Sequence, residues 1–312
     1  MPMWMLFVLI YAIIKGIREI FKKKALEENS VIEVLFVYSL LSLLMAIPQF
    51  PKAGGITGPQ YAGTAFKAFA MFVAWLAGFS SIKKLPLSLI GVLDLSRVLF
   101  ATLLGVVILG EQMTVYKSVG LVFVAAGLLF LKFNPLEIIR KKKKDNENPI
   151  IDNELSAQNS LPGDKTPFYK TKPWFIFLAI ICCIFNAISG LMDKILMKDM
   201  NSSQLFVWYT FFLVIYYGIY TVATRQKITK SVWKNKWVYL LAFAIVVMDN
   251  FLFKANKMPG SEITVMTLIK QVTAIVTIIA GKLVFKEKNV LHKILCAAII
   301  IAGIVIGIIP EF

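Results

Sequence analysis

KLPLSLIGVLDLSRVLFATLLGVVILGE, residues 84–111, decides the fold. After Pro86 every residue up to the Gly110-Glu111 step is apolar or small, except Asp94 and Arg97. The apolar run 85–109 exceeds the about 20 residues a helix needs to cross a bilayer, and it offers no polar face for water. A charge at the bilayer centre costs roughly 2.5–3.5 kcal/mol on insertion scales, so Asp94 and Arg97 are the first place to look for chemistry.

Apolar runs of similar length are read at residues 3–21, 31–50, 63–82 and 115–133. A second set covers 174–192, 205–222, 237–253, 263–285 and 290–309. The expected fold class is therefore an all-α membrane protein with ten transmembrane helices. Of the 312 residues, 58% are hydrophobic, and the mean hydropathy of +0.73 excludes an ordinary soluble domain. The first run carries Lys15, Arg18 and Glu19 in its second half. Lacking a basic leader and a small-residue cleavage site, it reads as a retained helix.

The two sets repeat. Lys84-Leu85-Pro86 recurs as Lys257-Met258-Pro259, and Leu35-Phe36-Val37 as Leu205-Phe206-Val207. Gly16, three residues before Glu19, has a counterpart in Gly190 before Asp193. Glu111, Lys117 and Gly127 recur as Glu287, Lys293 and Gly303 at one common offset, with three extra residues between the second proline and its glutamate. Five spans per half would make the second repeat enter the membrane inverted. Such repeats place a substrate site near the midplane and alternate access by rocking one bundle against another. The expected organisation is a first repeat over 1–133, a polar basic linker over 134–172 and a second repeat over 173–312.

Leu85-Pro86, the helix ending Leu109-Gly110-Glu111, and Ala126-Gly127 together resemble the EamA-type repeat of the drug/metabolite transporter superfamily. The second half resembles it too, with Lys286-Glu287 replacing Gly-Glu and Ala302-Gly303 retained. The resemblance covers nearly all of the chain outside the linker. It implies a ten-helix carrier of a metabolite, in a family whose substrates include amino acids, sugar phosphates, nucleotide sugars and amines. It also implies both termini in the cytoplasm.

The charge pattern points the other way. The net charge is +16, and the basic clusters at 22–24, 83–84, 140–144, 225–236 and 286–293 all fall on one side of the ten-span reading. The opposite side holds Lys52, Lys117, Lys194, Lys198, Lys254 and Lys257. Basic residues stay in the cytoplasm, which puts both termini outside. Cytoplasmic retention accounts for the run 140–144 without a nucleic-acid partner. Cys182, Cys183 and Cys296 lie within spans and read as small apolar residues. His292 is the single histidine, and no P-loop, dinucleotide fingerprint or paired metal motif occurs, so no cofactor is expected.

Arg97 and Lys270 are the candidate anion-binding residues, one offering a planar fork and the other a point charge. Asp94 shares a helix face with Arg97 and would fix it or exchange a proton; Gln271 adjoins Lys270. Asp249 is a second candidate for proton coupling, with helix capping near the interface an equal alternative. Trp75, Trp208, Tyr38 and Tyr209 are candidate cavity walls. Lys67 is expected to snorkel to the headgroups, and Glu19 and Asp193 to form interfacial pairs. Gly303 and Gly307 form a GxxxG step that packs helices within the chain or supports a homodimer.

The expected function is secondary transport of a small polar metabolite, anionic if Arg97 and Lys270 hold it, in the inner or plasma membrane. The alternatives are a membrane-embedded enzyme acting on a lipid-linked substrate and a sensor or assembly protein using the basic linker. The sparse Asp94–Arg97 cluster disfavours the enzyme.

Overall fold

The computed structural model describes residues 2–132, 171–287 and 290–308. The basic run 140–144 and nearly all of the predicted linker lie outside them. Every regular element among the described residues is helical. The first half contains α1 (Met3–Glu28), α2 (Val31–Met45), a 3-10 helix (Ile47–Lys52), α3 (Gly58–Lys84), α4 (Leu87–Asp94), α5 (Arg97–Leu109) and α6 (Val115–Lys132). The second contains α7 (Lys172–Leu196), α8 (Ser202–Ala223), the short α9 (Lys230–Lys234), α10 (Lys236–Lys257), α11 (Ile263–Lys270), α12 (Val272–Leu283) and α13 (Val290–Ile308).

Among the described residues, six helical stretches are long and apolar enough to cross a bilayer: α3, α4 with α5, α7, α8, α10 and α11 with α12. Val31–Met45, Val115–Gly127 and Leu291–Gly307 are apolar but shorter. α1 is long, and its charged residues Lys15, Arg18, Glu19 and Lys22 face inward. The chain is thus an all-helical, multi-pass membrane protein.

Local chemistry sets the helix ends. α2 starts at a capping box in which Ser30 and Glu33 satisfy each other's backbone amides, and Asn201 with Gln204 does the same for α8. Pro86 ends α3 by forcing Leu85 into extended geometry at φ −101°, ψ 155°. Gly110 closes α5 in the left-handed region, φ +68°, which glycine adopts without steric cost.

Two long helices break in mid-course. Between α4 and α5, the amides of Ser96 and Leu99 reach back three residues to Leu93 and Ser96, at 3.0 and 3.1 Å. Between α11 and α12, Gln271 and Ala274 do the same to Leu268 and Gln271, at 3.0 and 2.8 Å. These are 3-10 turns inside apolar helices. Asp94 and Arg97 flank the first, and Lys270 and Gln271 sit at the second.

The halves interlock. α1 packs on α10 and α12, while α3 packs on α7 and α8. α4 meets α12, α5 meets α7 and α11, α2 meets α8 and α10, and α6 meets α13. The α6–α13 pair approaches backbone to backbone: a Cβ on Gly120 would stand 2.6 Å from the Gly303 carbonyl oxygen. The GxxxG step at Gly303 and Gly307 therefore serves packing within the chain.

Candidate functional site

α1 contributes one inward face with Tyr11, Lys15, Arg18 and Lys22 at steps of four, three and four residues, one stripe of a helix. α3 runs beside it. Two adjoining cavities are stacked along α3, with roughly 740 and 480 Å³ of free space including their mouths. The first extends from Met71 past Trp75 to Gly78 and Ser81, the second from Met71 back to Lys67. Tyr11, Met71, Arg97, Asn186 and Asp249 line both.

In the first cavity Asp94 accepts from Lys15 at 2.8 Å and also from Arg97. The Arg97 Nε is buried without a hydrogen-bond partner among the described residues. Deeper along α1, Glu19 pairs with Arg18 at 3.0 Å and with Lys22 at 2.9 Å. Trp75 forms part of the wall, with the Arg18 guanidinium 5.9 Å from its ring centre.

In the second cavity Lys67 forms an ion pair with Asp193 at 3.0 Å, donates to the Ser189 hydroxyl at 3.1 Å, and lies 4.2 Å from the Tyr209 ring centre. Lys270 also lines this cavity. It is buried and has no ion-pair or hydrogen-bond partner among the described residues; its ammonium lies 5.6 Å from the centre of the Tyr11 ring. Asp249 accepts a hydrogen bond from the Tyr209 hydroxyl.

The fold thus brings Asp94, Arg97, Asp249, Lys270 and Trp75 to the cavity walls. Tyr38 and Tyr209 stand one layer behind. Tyr38 packs 5.2 Å from Trp75 and accepts from Arg18 at 3.5 Å, and Tyr209 holds Asp249. Gln271 is buried but lines neither cavity; its amide donates to the Thr267 carbonyl at 2.8 Å across the helix break. Trp208 lies elsewhere, donating to the Ala53 carbonyl at 2.9 Å and meeting Tyr61 edge-on.

Two expectations are corrected. Lys67 does not snorkel: 1% of its surface is exposed, and its ammonium is held inside by Asp193 of α7. Glu19 and Asp193 are likewise buried cavity residues rather than interfacial ones. The reading missed Lys15, Arg18 and Lys67. The helical spacing of Tyr11, Lys15, Arg18 and Lys22 was the signal for the first two; Lys67 had none, since its partner is far away in sequence.

At the ends of the helices, carboxylates clamp opposite halves. Glu111 accepts from the Ile263 amide at the start of α11, at 2.6 Å. Glu287 accepts from the Leu87 and Ser88 amides at the start of α4, and from Lys23 at 3.3 Å. Glu287 lies between α12 and α13. Burial pushes its carboxyl upward, but hydrogen bonds from Ser88 and Leu87, aided by Lys23, outweigh that and hold it below the usual carboxylate range.

Among known proteins, a transporter from Sinorhizobium, described as an uncharacterized transporter in the cobO 3' region, is 28% identical over 98 residues, covering 31% of this chain and 70% of that one. A solved crystal structure of a protein superimposes with a TM-score of 0.64 at 11% identity, over 97% of this chain and 96% of that one. It therefore shares the fold. The EamA-like transporter family matches residues 2–133 and 173–309. With that match over both helical halves, the chain belongs to the EamA-like transporter family of the drug/metabolite superfamily.

Proposed function

We propose that this protein is a secondary transporter of the inner or plasma membrane that carries a small polar, anionic metabolite by alternating access. The observation that carries the reading is the Lys270 ammonium, buried in a cavity wall without an ion-pair or hydrogen-bond partner among the described residues. Leaving a cation desolvated and unpaired is costly unless something anionic visits it. Arg97 lines both cavities and keeps an unpartnered Nε, so it suits a ligand passing between them.

Alternation is supported by reciprocity between the halves. The bond from the Ile263 amide to Glu111 has its mate in the bonds from the Leu87 and Ser88 amides to Glu287. Packing of α1 on α10 mirrors α3 on α7, and the break between α4 and α5 mirrors that between α11 and α12. These pairs favour ten crossing helices in two inverted repeats, rocking about a shared midplane site. The basic connections then belong in the cytoplasm and both termini outside.

Thermal melting of the detergent-purified protein tests the site. Sulfate, lactate, succinate and glycerol 3-phosphate should include at least one compound that raises the wild-type melting temperature. The shift should vanish in Arg97→Ala and Lys270→Ala. Stabilisation by cationic or apolar compounds alone would sink the anion site.

A further inference from the structure

Six cations and four carboxylates line the two cavities. Eight of these ten charges are matched by a neighbour. Asp94 holds Lys15 and Arg97, Glu19 holds Arg18 and Lys22, and Asp193 holds Lys67. Two remain, Lys270 and Asp249. Lys270 faces the Tyr11 ring, and Asp249 has the Tyr209 hydroxyl but no ion-pair partner among the described residues. Both line the second cavity, and Asp249 lines the first as well.

We infer that Asp249 is the proton site of this carrier and takes up a proton when an anion settles on Lys270, so that anion and proton cross together. This rests on the reading of Lys270 as the anion site. In the empty cavity the Lys270 ammonium and the Asp249 carboxylate offset each other through a space of low dielectric constant. A bound anion cancels the ammonium and turns negative charge toward the carboxylate, which favours its neutral form. The proton comes from water at the open face. The Tyr209 hydroxyl, which donates to the ionised carboxylate, can accept from the neutral acid instead. When the other face opens, the anion leaves Lys270 and the proton returns to water there. Linkage makes the effect mutual: a proton on Asp249 tightens anion binding by the same factor, on the order of 5–150-fold for couplings of this kind.

The remaining groups around Asp249 do not compete for the proton. From α1 come Tyr11 and Arg18, the latter tied into the Glu19–Lys22 cluster. Lys67 of α3 is held by Asp193 of α7, and Arg97 of α5 by Asp94 of α4. Protonating Asp94 would release two cations at once, and protonating Asp193 or Glu19 would strand their own partners. Proton exchange therefore falls to Asp249 alone. For a monovalent anion the transported complex gains no net charge.

The test is titration calorimetry on the full chain in detergent, in two buffers of different ionisation heat. Lactate, succinate and sulfate are the probes, because all stay ionised at about pH 7. Wild type should take up protons on binding, approaching one per anion at the pH of maximal uptake, and Asp249→Asn should bind without uptake. In proteoliposomes an inwardly directed proton gradient, acid outside, should drive lactate above equilibrium in wild type and, once uptake by protein-free vesicles is subtracted, only to equilibrium in Asp249→Asn. Failure of every probe to bind, or equal binding in Lys270→Ala, overturns the anion site and this inference with it. Binding that needs Lys270 but takes up no proton, or equal uptake in Asp249→Asn, overturns this inference alone. The wild-type proton count needs no variant, so a misfolded Asp249→Asn chain does not protect the idea.

Discussion

Arg97 keeps one guanidinium nitrogen on Asp94 and leaves its buried Nε without a hydrogen-bond partner among the described residues. Lys67 and Lys270 line the same cavity, yet one is paired and the other is not. That difference predicts opposite stability effects. Lys67→Met strands Asp193 as an uncompensated buried charge and should cost about 3–5 kcal/mol. Lys270→Met removes a charge that had no partner, so it should melt at or above wild type while losing anion binding. Equal losses in thermal melts would mean that Lys270 is held by a carboxylate as closely as Lys67 is. Arg97→Lys keeps the charge but cannot hold Asp94 and present a second donor edge together. Anion affinity should fall about 10–100-fold, the worth of one hydrogen bond to a charged group.

Among the elements, α4 and α13 show how ends and faces are fixed. Glu287 gathers the first amides of α4, which have no helical partner, and so does the work of a cap across the two halves. Glu287→Ala should lower stability by roughly 1–3 kcal/mol. Because the folded carboxyl sits below its ordinary value, its contribution is full above the ordinary carboxylate range. It should fade as pH falls through the folded value, so the wild-type and Glu287→Ala melting curves should converge in acid. Gly303→Leu would drive a side chain into Phe123 and the Gly120 carbonyl. Overpacking of that kind costs about 1–3 kcal/mol, read by melting temperature. Both sites were visible as repeat-mates in the sequence, since Glu111, Glu287, Gly127 and Gly303 keep one spacing. Which amide each glutamate caps was not, because that contact joins residues some 150–200 positions apart.

For the molecule as a whole, apolar run lengths and the paired Lys-x-Pro motifs were enough to read a helical membrane protein in two similar halves. Intramembrane charges gave Asp94, Arg97, Asp249 and Lys270. The inward stripe of α1 was harder to read, because Lys15, Arg18 and Glu19 in one apolar stretch make a weak span. Their neutralisation depends on contacts supplied by other helices. Trp208 failed to reach the cavities for a related reason: aromatic residues in a span fit several environments, and only packing decides among them. Removing residues 146–166 should leave transport intact if the segment only tethers the halves. Uptake assays on the shortened chain check this, and lost uptake with retained folding would point to a linker-mediated partner.

The buried charges of α1 also bear on how the chain is made. Lys15, Arg18, Glu19 and Lys22 each resist entry into lipid, and the helix finds its main packing partners in α10 and α12. α1 leaves the ribosome before the helices that meet its charges: Asp94 of α4 takes Lys15, Tyr38 of α2 and Trp75 of α3 meet Arg18, and Phe79 of α3 meets Lys22. Its insertion must therefore be provisional until the later helices arrive. A nascent chain ended before residue 58 should leave residue 22 open to an aqueous thiol probe through an introduced cysteine, and a chain that includes α3 and α4 should protect it. The first half would then shelter its own entry charges before the second half docks on α1 through α10 and α12.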